Sequence, residues 1–285
     1  MNAEANKIAS IANDAAYGLK DPKAYRPPHI KHAELRNLYG QLVQRVFAEA
    51  AKHHKAPRVL DLGAGEGSVT FPFLELGARV VAVDISSRQL EELREKCDRY
   101  SGLLETRCED VNETLANASH ETYDIIAANS FLHHIPDYLS LIRDAVGMLS
   151  PSGIFFSFQD PLRYDSVGTF TRAFTDMAYA SWRLSLGSRG DFIGGIRRRL
   201  RRRKGIYLAD CVQDNAEYHI TRNGVDQDGI RKLLDQCGFD CDIVTYFSTQ
   251  SRIFQPIGSK LGVKNMFALI AKNRESNHLV DQAGQ

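Results

Sequence analysis

The 285-residue sequence contains no apolar run long enough to cross a membrane. Its opening stretch, Met1-Asn2-Ala3-Glu4-Ala5-Asn6-Lys7, has no basic segment leading into an apolar core, so a secretory leader is not expected there. Five cysteines is an odd number, and none stand in the paired spacing of a metal site. They are expected to be reduced thiols in a cytoplasmic protein. Cys237 and Cys241 straddle a Gly-Phe turn, and core packing is the expected role of both. There is also no charge excess. The formal net charge of +1 gives no whole-molecule pull toward nucleic acid or an anionic membrane. A hydrophobic content of 43% fits one large soluble globular unit, or a core with an inserted cap.

What the chain does have is a glycine turn that organises its surroundings. Val59 and Leu60 enter it as a buried strand, Asp61-Leu62 follow, and Gly63, Gly65 and Gly67 alternate with Ala64 and Glu66. A helical pattern begins near Val69. A strand, a glycine turn and a helix N-terminus let a ligand lie against bare backbone, beside unpaired N–H donors. A tight turn with no ligand is the alternative. A dinucleotide site would require Gly-x-Gly-x-x-Gly, and Ser68 occupies the last of those positions. A second apolar run, Arg79 to Val83, ends in Asp84-Ile85-Ser86. An acid at the tip of a second strand is placed to accept sugar hydroxyls, although Asp84, Ser86 and Ser87 also read as rival helix caps.

Two further runs complete the pattern. Leu103 to Cys108 leads into Glu109-Asp110-Val111, and Tyr123 to Ala128 leads into Asn129-Ser130-Phe131-Leu132-His133-His134-Ile135-Pro136-Asp137. With Asp61 and the Gly63-Gly65-Gly67 turn, these four motifs resemble the class I S-adenosylmethionine (SAM) dependent methyltransferases, and the fourth resembles the type 11, ubiquinone-biosynthesis-like, branch. The resemblance is strong over roughly residues 56–160 and weak elsewhere. It implies SAM as cofactor, held by Asp61, Gly63, Ala64 and Gly65. Asp84 would take the ribose, with Ile85 on the adenine face. Glu109, Asp110 and Val111 would lie near the adenine amino group, and Asn129 and Ser130 beside the methionine part.

Read in order, the chain divides into five parts. Residues 1–55 are expected to be an N-terminal helical lid, in which a helix over 30–52 carries Leu35, Leu38, Leu42, Val46 and Ala50 on one face. Tyr17, Tyr25 and Arg26 are candidates for lid contacts with the cofactor, and Tyr25 is assigned to it; surface aromatics packed on the core are the alternative. Residues 56–160 alternate strand and helix, which predicts a Rossmann-like, doubly wound α/β sheet. Residues 161–225 break the alternation and read as an inserted substrate cap, with an aromatic helix over 167–186 and a short extended segment at Glu217–Thr221. Within this cap lies Arg197-Arg198-Arg199-Leu200-Arg201-Arg202-Arg203-Lys204, a block that suits an anionic partner or else forms a solvated face. Residues 226–275 return to the core with a helix and two strands, 242–247 and 265–271. No helical pattern is visible between them, so they are expected to pair as an antiparallel hairpin, giving seven strands with the last antiparallel. Residues 276–285 read as a disordered tail.

The resemblance also frames the chemistry. Methyl transfer from the SAM sulfonium is an in-line displacement that needs alignment and dry surroundings. An alcohol acceptor also needs a base, and His133 and His134 are the candidates, with His219 behind them. A loop-shaping role, by hydrogen bonding to backbone, is the alternative. The Asp/Asn-Pro-Pro-Tyr/Phe signature of amino-directed enzymes is missing after the fourth strand, as is the Pro-Cys of cytosine-C5 enzymes. No Asp/Glu/His cluster is visible in the spacing, so no metal is assigned. The expected acceptor is a small or medium-sized molecule, with oxygen favoured. It could be anionic, hydrophobic or carrier-linked, with peripheral membrane contact through Arg197–Lys204. Nucleic acid is not expected. An RNA methyltransferase using the arginine block, a non-catalytic SAM-binding protein and an NAD enzyme are the competing readings.

Overall fold

The β-branched and aliphatic runs become strands: β1 (Arg58–Leu62), β2 (Arg79–Asp84), β3 (Leu104–Cys108), β4 (Tyr123–Asn129), β5 (Leu149–Pro161), β6 (Phe239–Tyr246) and β7 (Met266–Asn273). The computed structural model describes residues 2–13, 15, 30–117, 122–185, 194, 197, 199–201, 206–208 and 211–274. All seven strands join one sheet in the order β3-β2-β1-β4-β5-β7-β6. The first five run parallel. β7 lies between β5 and β6, antiparallel to both. β1 has β2 on one side and β4 on the other, so the chain switches direction across the sheet at this point. A crevice opens there beyond the carboxyl ends of the strands.

The helices with defined bounds among the described residues are α1 (Asn2–Asn13), α2 (Ala33–Ala50), α3 (Thr70–Glu75), α4 (Ser87–Lys96), α5 (Val111–Asn117), α6 (Tyr138–Gly147), α7 (Thr169–Ser185), α8 (Val212–Ala216), α9 (Tyr218–Thr221), α10 (Gln227–Gln236) and α11 (Phe254–Lys260). Successive residues of a strand face opposite ways, so each central strand feeds two cores. Val59, Val80, Ile125 and Phe156 pack with Leu35, Leu42, Val43 and Val46 of α2. Leu60, Val81, Ile126 and Phe155 pack with Leu141 and Ile142 of α6 and Ile230 and Leu234 of α10. The stripe read on α2 is buried at Leu35, Leu42, Val46 and Ala50, and Tyr39 and Val43 join it. Three helices start on side-chain caps: Ser86 accepts from the Gln89 N–H, Asp137 from that of Ser140, and Asp226 from that of Gly229.

Two expectations are corrected. β6 and β7 are adjacent and antiparallel, but α11 stands between them in sequence, so they are not a loop-joined hairpin. Its sequence, Phe-Gln-Pro-Ile-Gly-Ser-Lys, hid it: Pro256 lies in the first turn, where a missing N–H costs nothing, and Gly258 packs against the Phe247 ring. The segment 217–221, read as extended, is helical, as α9. The tail at 276–285, together with Tyr17, Tyr25 and Arg26, lies outside the described residues.

Leu60 is fully buried in the middle of the sheet. Leu60→Ala is expected to cost about 2–5 kcal/mol, from lost burial and the cavity left behind. The measurement is a urea midpoint that falls while the slope of the transition is unchanged.

Candidate active site

The glycine turn after β1 is held in a shape that only glycine adopts easily. Gly63, Gly65 and Gly67 have φ of 69°, 52° and 93°. A Cβ at Gly63 would lie 2.2 Å from the Phe131 ring, and one at Gly67 would lie 2.4 Å from Leu93. Two carboxylates brace the turn. Asp84, at the end of β2, accepts from the Gly65 N–H at 2.8 Å through one oxygen and from the Ser86 N–H at 2.8 Å through the other. Asp61 accepts from the Thr70 N–H at 3.0 Å and the Thr70 hydroxyl at 2.6 Å, which ties the end of β1 to the start of α3. Burial pushes the Asp61 carboxyl up to about 7 against the pull of the Thr70 hydrogen bonds. From the α2 side, Tyr39 donates its hydroxyl to the Ser68 carbonyl at 2.8 Å.

Opposite the turn, the end of β4 makes the second wall. Asn129 donates to the Ser68 hydroxyl at 2.8 Å. Ser130 takes a left-handed φ of 55° and donates its N–H to the Phe158 carbonyl. The chain then turns through Leu132–His134 into α6. Between the walls lies an open cleft. It runs from Gly63, Ala64 and Gly65 past Asp84 and Ile85 to Glu109, Asp110 and Val111, and back to Asn129, Ser130 and His134.

Beyond the cleft wall sits a histidine pair. β5 carries a bulge between Phe158 and Asp160, with Gln159 at φ 70°. A bulge re-aims the side chains beside it. Asp160, fully buried, accepts at one oxygen both the His133 backbone N–H (3.1 Å) and its Nδ1–H (2.8 Å). His133 Nε2 lies 3.7 Å from a Glu217 carboxylate oxygen. Burial pushes the His133 imidazole down, but the Asp160 hydrogen bond and the charges of Asp160 and Glu217 together leave it above the ordinary value. His134 donates Nδ1–H to the Ala216 carbonyl, and burial beside His133 pushes it down to about 4. His219 bonds through Nε2 to the Ile135 and Pro136 carbonyls, and burial likewise pushes it down to about 4.

Residues 60–155 match a family model described as a methyltransferase domain. A ubiquinone biosynthesis O-methyltransferase of Actinobacillus pleuropneumoniae is 31% identical over 141 residues, which span 48% of this chain and 56% of that protein. The chain thus spans about half the length of the curated relatives it matches. Residues 60–155 are thus similar to a methyltransferase domain. Whole-chain likeness in fold extends the point. Magnesium protoporphyrin IX methyltransferase from Synechocystis PCC 6803, solved with bound SAM, superposes with a TM-score of 0.51 at 15% identity, covering 93% of this chain and 97% of that one. An O-methyltransferase family protein from Burkholderia thailandensis gives 0.55 at 14% identity, covering 92% and 63%. The chain has the Rossmann-like methyltransferase fold.

Of the residues singled out in the sequence, eleven line the cleft: Gly63, Ala64, Gly65, Asp84, Ile85, Glu109, Asp110, Val111, Asn129, Ser130 and His134. Asp61 does not; it is 1% exposed, and it acts on the cleft through Thr70 and the turn. His133 stands behind His134, with ring centroids 4.1 Å apart. Tyr25 is outside the described residues. Ser10 and Asn13 of α1 also line the cleft, and nothing in their polar, featureless surroundings signalled it. Asp160 and Glu217 carry no motif, so the group His133–His134–Glu217 was invisible as a cluster, although its ligand-type atoms lie within 4.8 Å of one another. Two described arginines of the basic block are engaged: Arg199 pairs with Asp176, and Arg201 with the fully buried Asp214.

Gly63→Ala is expected to be refused by both its backbone angle and the Phe131 ring, displacing the cleft wall. The expected readout is a lower melting temperature together with weaker cofactor binding in calorimetry. His219 yields a pH prediction. Its folded value of about 4 lies below the ordinary 6.5, so the unfolded chain takes up the proton first as pH falls. Relative to His219→Gln, the wild type should lose stability between pH 6.5 and 4 and differ least steeply above 6.5, as read by paired thermal melts.

Proposed function

We propose that the protein transfers the methyl group of SAM to a hydroxyl oxygen of a small-molecule acceptor. The observation that carries this reading is the cleft itself: a Gly63–Gly67 turn with a carboxylate across it at Asp84 and an amide at Asn129. SAM would lie along it, with its ribose hydroxyls at Asp84, its adenine between Ile85 and Asp110, and its amino-acid end toward Gly63 and Asn129. Asp84 accepts from two N–H donors, which aim its carboxylate across the glycine turn. Bound SAM supplies an electrophilic methyl; the protein's share is to align it, exclude water and manage the acceptor's proton.

His134 is the titratable imidazole on the cleft wall, and with its value near 4 it is neutral at physiological pH. Its Nδ1–H is committed to the Ala216 carbonyl, which in the neutral ring leaves the lone pair on Nε2. His133 and Asp160 hold it in place from behind. The oxygen acceptor agrees with the O-methyltransferase names among the relatives. A small diffusible acceptor is favoured over RNA or a membrane-borne one, because Arg199 and Arg201 are spent on Asp176 and Asp214. A cytoplasmic setting fits the unpaired thiols. Residues 1–55 and 161–225 would supply lid and cap, with Ser10 and Asn13 already at the cleft.

The deciding experiment is incubation with methyl-labelled SAM and fractionated cell extract. The label is expected on a hydroxyl of a small molecule; label confined to RNA or protein would overturn the reading. Asp84→Ala should weaken SAM binding by about 1.5–3 kcal/mol, the loss of a charge-assisted hydrogen bond, as measured by calorimetry. His134→Ala should lower kcat while leaving SAM affinity unchanged. A wild-type rate would remove it from the chemistry.

A further inference from the structure

Two imidazoles stitch the cleft wall to the segment 212–221, and they donate in opposite directions. His134, on the wall, gives Nδ1–H to the Ala216 carbonyl at the end of α8. His219, in α9, gives Nε2–H back to the wall carbonyls of Ile135 (3.0 Å) and Pro136 (3.3 Å). Both of those wall residues line the cleft beside His134. The His219 ring is seated by its neighbours. It meets the Tyr138 ring edge-on, with centroids 4.8 Å apart and planes at 80°. Tyr138 is itself fixed, its hydroxyl accepting the Asp226 N–H at 3.0 Å. Arg222 donates to the Asp214 and Tyr218 carbonyls at 3.1 and 2.9 Å, which ties α8 to α9. The Tyr164 hydroxyl holds the far end of α9 through the Ile220 carbonyl at 2.9 Å.

We propose that His219 is a positioning residue for His134: by holding α9 on the Ile135 and Pro136 carbonyls, it keeps the Ala216 carbonyl where it selects the Nδ1–H form of His134. This role rests on the reading of His134 as the cleft's imidazole in methyl transfer, and it adds what sets the tautomer. A neutral imidazole carries one proton, and the hydrogen bond made by one nitrogen decides which nitrogen keeps the lone pair. In water the proton favours Nε2, so the Nδ1–H form has to be imposed. A backbone carbonyl imposes it only while it stays within hydrogen-bond reach, about 3 Å from the nitrogen. Ala216 is buried, and its methyl side chain can make no hydrogen bond to fix the carbonyl. Its place is set by the chain on either side, and His219, three positions on, ties that chain to the residues next to His134. Burial holds both rings at about 4, so each is neutral at physiological pH with one N–H to give. His219 thus acts as a donor to backbone, in place of the base role that its residue type suggested.

The test reads the tautomers in the free full-length chain, with neither SAM nor acceptor present. Wild type, His219→Phe and His219→Gln, each with ¹⁵N-labelled histidine, are compared by long-range ¹H–¹⁵N spectra near neutral pH. The His134 ring is assigned by its loss in His134→Gln, and folding of each variant is checked by thermal melts. In the wild type, His134 is expected as the Nδ1–H form and His219 as the Nε2–H form. His219→Phe keeps a ring against Tyr138 but has no N–H to give, and His134 is expected to move to the Nε2–H form. His219→Gln puts an amide N–H near the same point and is expected to keep His134 in the Nδ1–H form. An Nε2–H His134 in the wild type, or a His134 tautomer unchanged in His219→Phe, would overturn the proposal. So would a switch in both variants, which would make the ring rather than its N–H responsible. The wild-type spectrum carries the first of these outcomes alone, so the proposal stays exposed even where a variant fails to fold. A protein that showed both tautomers yet transferred no methyl group would keep this role for His219 and lose the function proposed above.

Discussion

The hydrogen bonds that Asp84 accepts from the backbone N–H groups of Gly65 and Ser86 are the constraint on which the site depends. The Gly65 bond joins the tip of β2 to the turn after β1, and the Ser86 bond holds the carboxylate in position for it. Without them, three glycines in left-handed conformations would be a loose loop with a high entropic cost of ordering. Asp61 does the matching task at the far end of the turn. It is buried, which is costly for a carboxylate, and two Thr70 donors offset part of that cost. Bonds within the protein thus hold the cleft's shape, and such bracing lowers the ordering cost of binding.

The sequence made the core legible because parallel strands buried on both faces are written as continuous apolar runs. Val59–Leu62, Val80–Val83 and Ile125–Ala128 could be placed almost to the residue, and so could the acids at their tips. Local chemistry told less where the structure depends on distant partners. α11 was missed because Pro256 and Gly258 read as loop, and only packing on Phe247 and Phe174 makes a helix of them. α9 was read as extended because Tyr, Ile and Thr favour strands, whereas its contacts with the segment around His134 decide otherwise.

The site divides in the same way. Motif residues that present backbone or a tip carboxylate to the cleft could be named from spacing. Residues that act across the fold could not. Asp160 ends a strand in a sequence that resembles any other strand end, and it meets His133 only because a bulge turns it. Glu217 is more than eighty positions from the histidines it approaches. Ser10 and Asn13 reach the cleft because α1 packs against α8, an arrangement with no local trace.

The sheet order has a bearing on how the molecule is made. β7 fills the slot between β5 and β6, so one edge of β5, a thirteen-residue strand rich in phenylalanine, has no partner until residues 266–273 have been synthesised. More than a hundred residues of nascent chain separate the two. Over that interval the open edge of β5 is a template for other chains, and the ribosome-bound intermediate is a natural client for chaperones that shield unpaired strands.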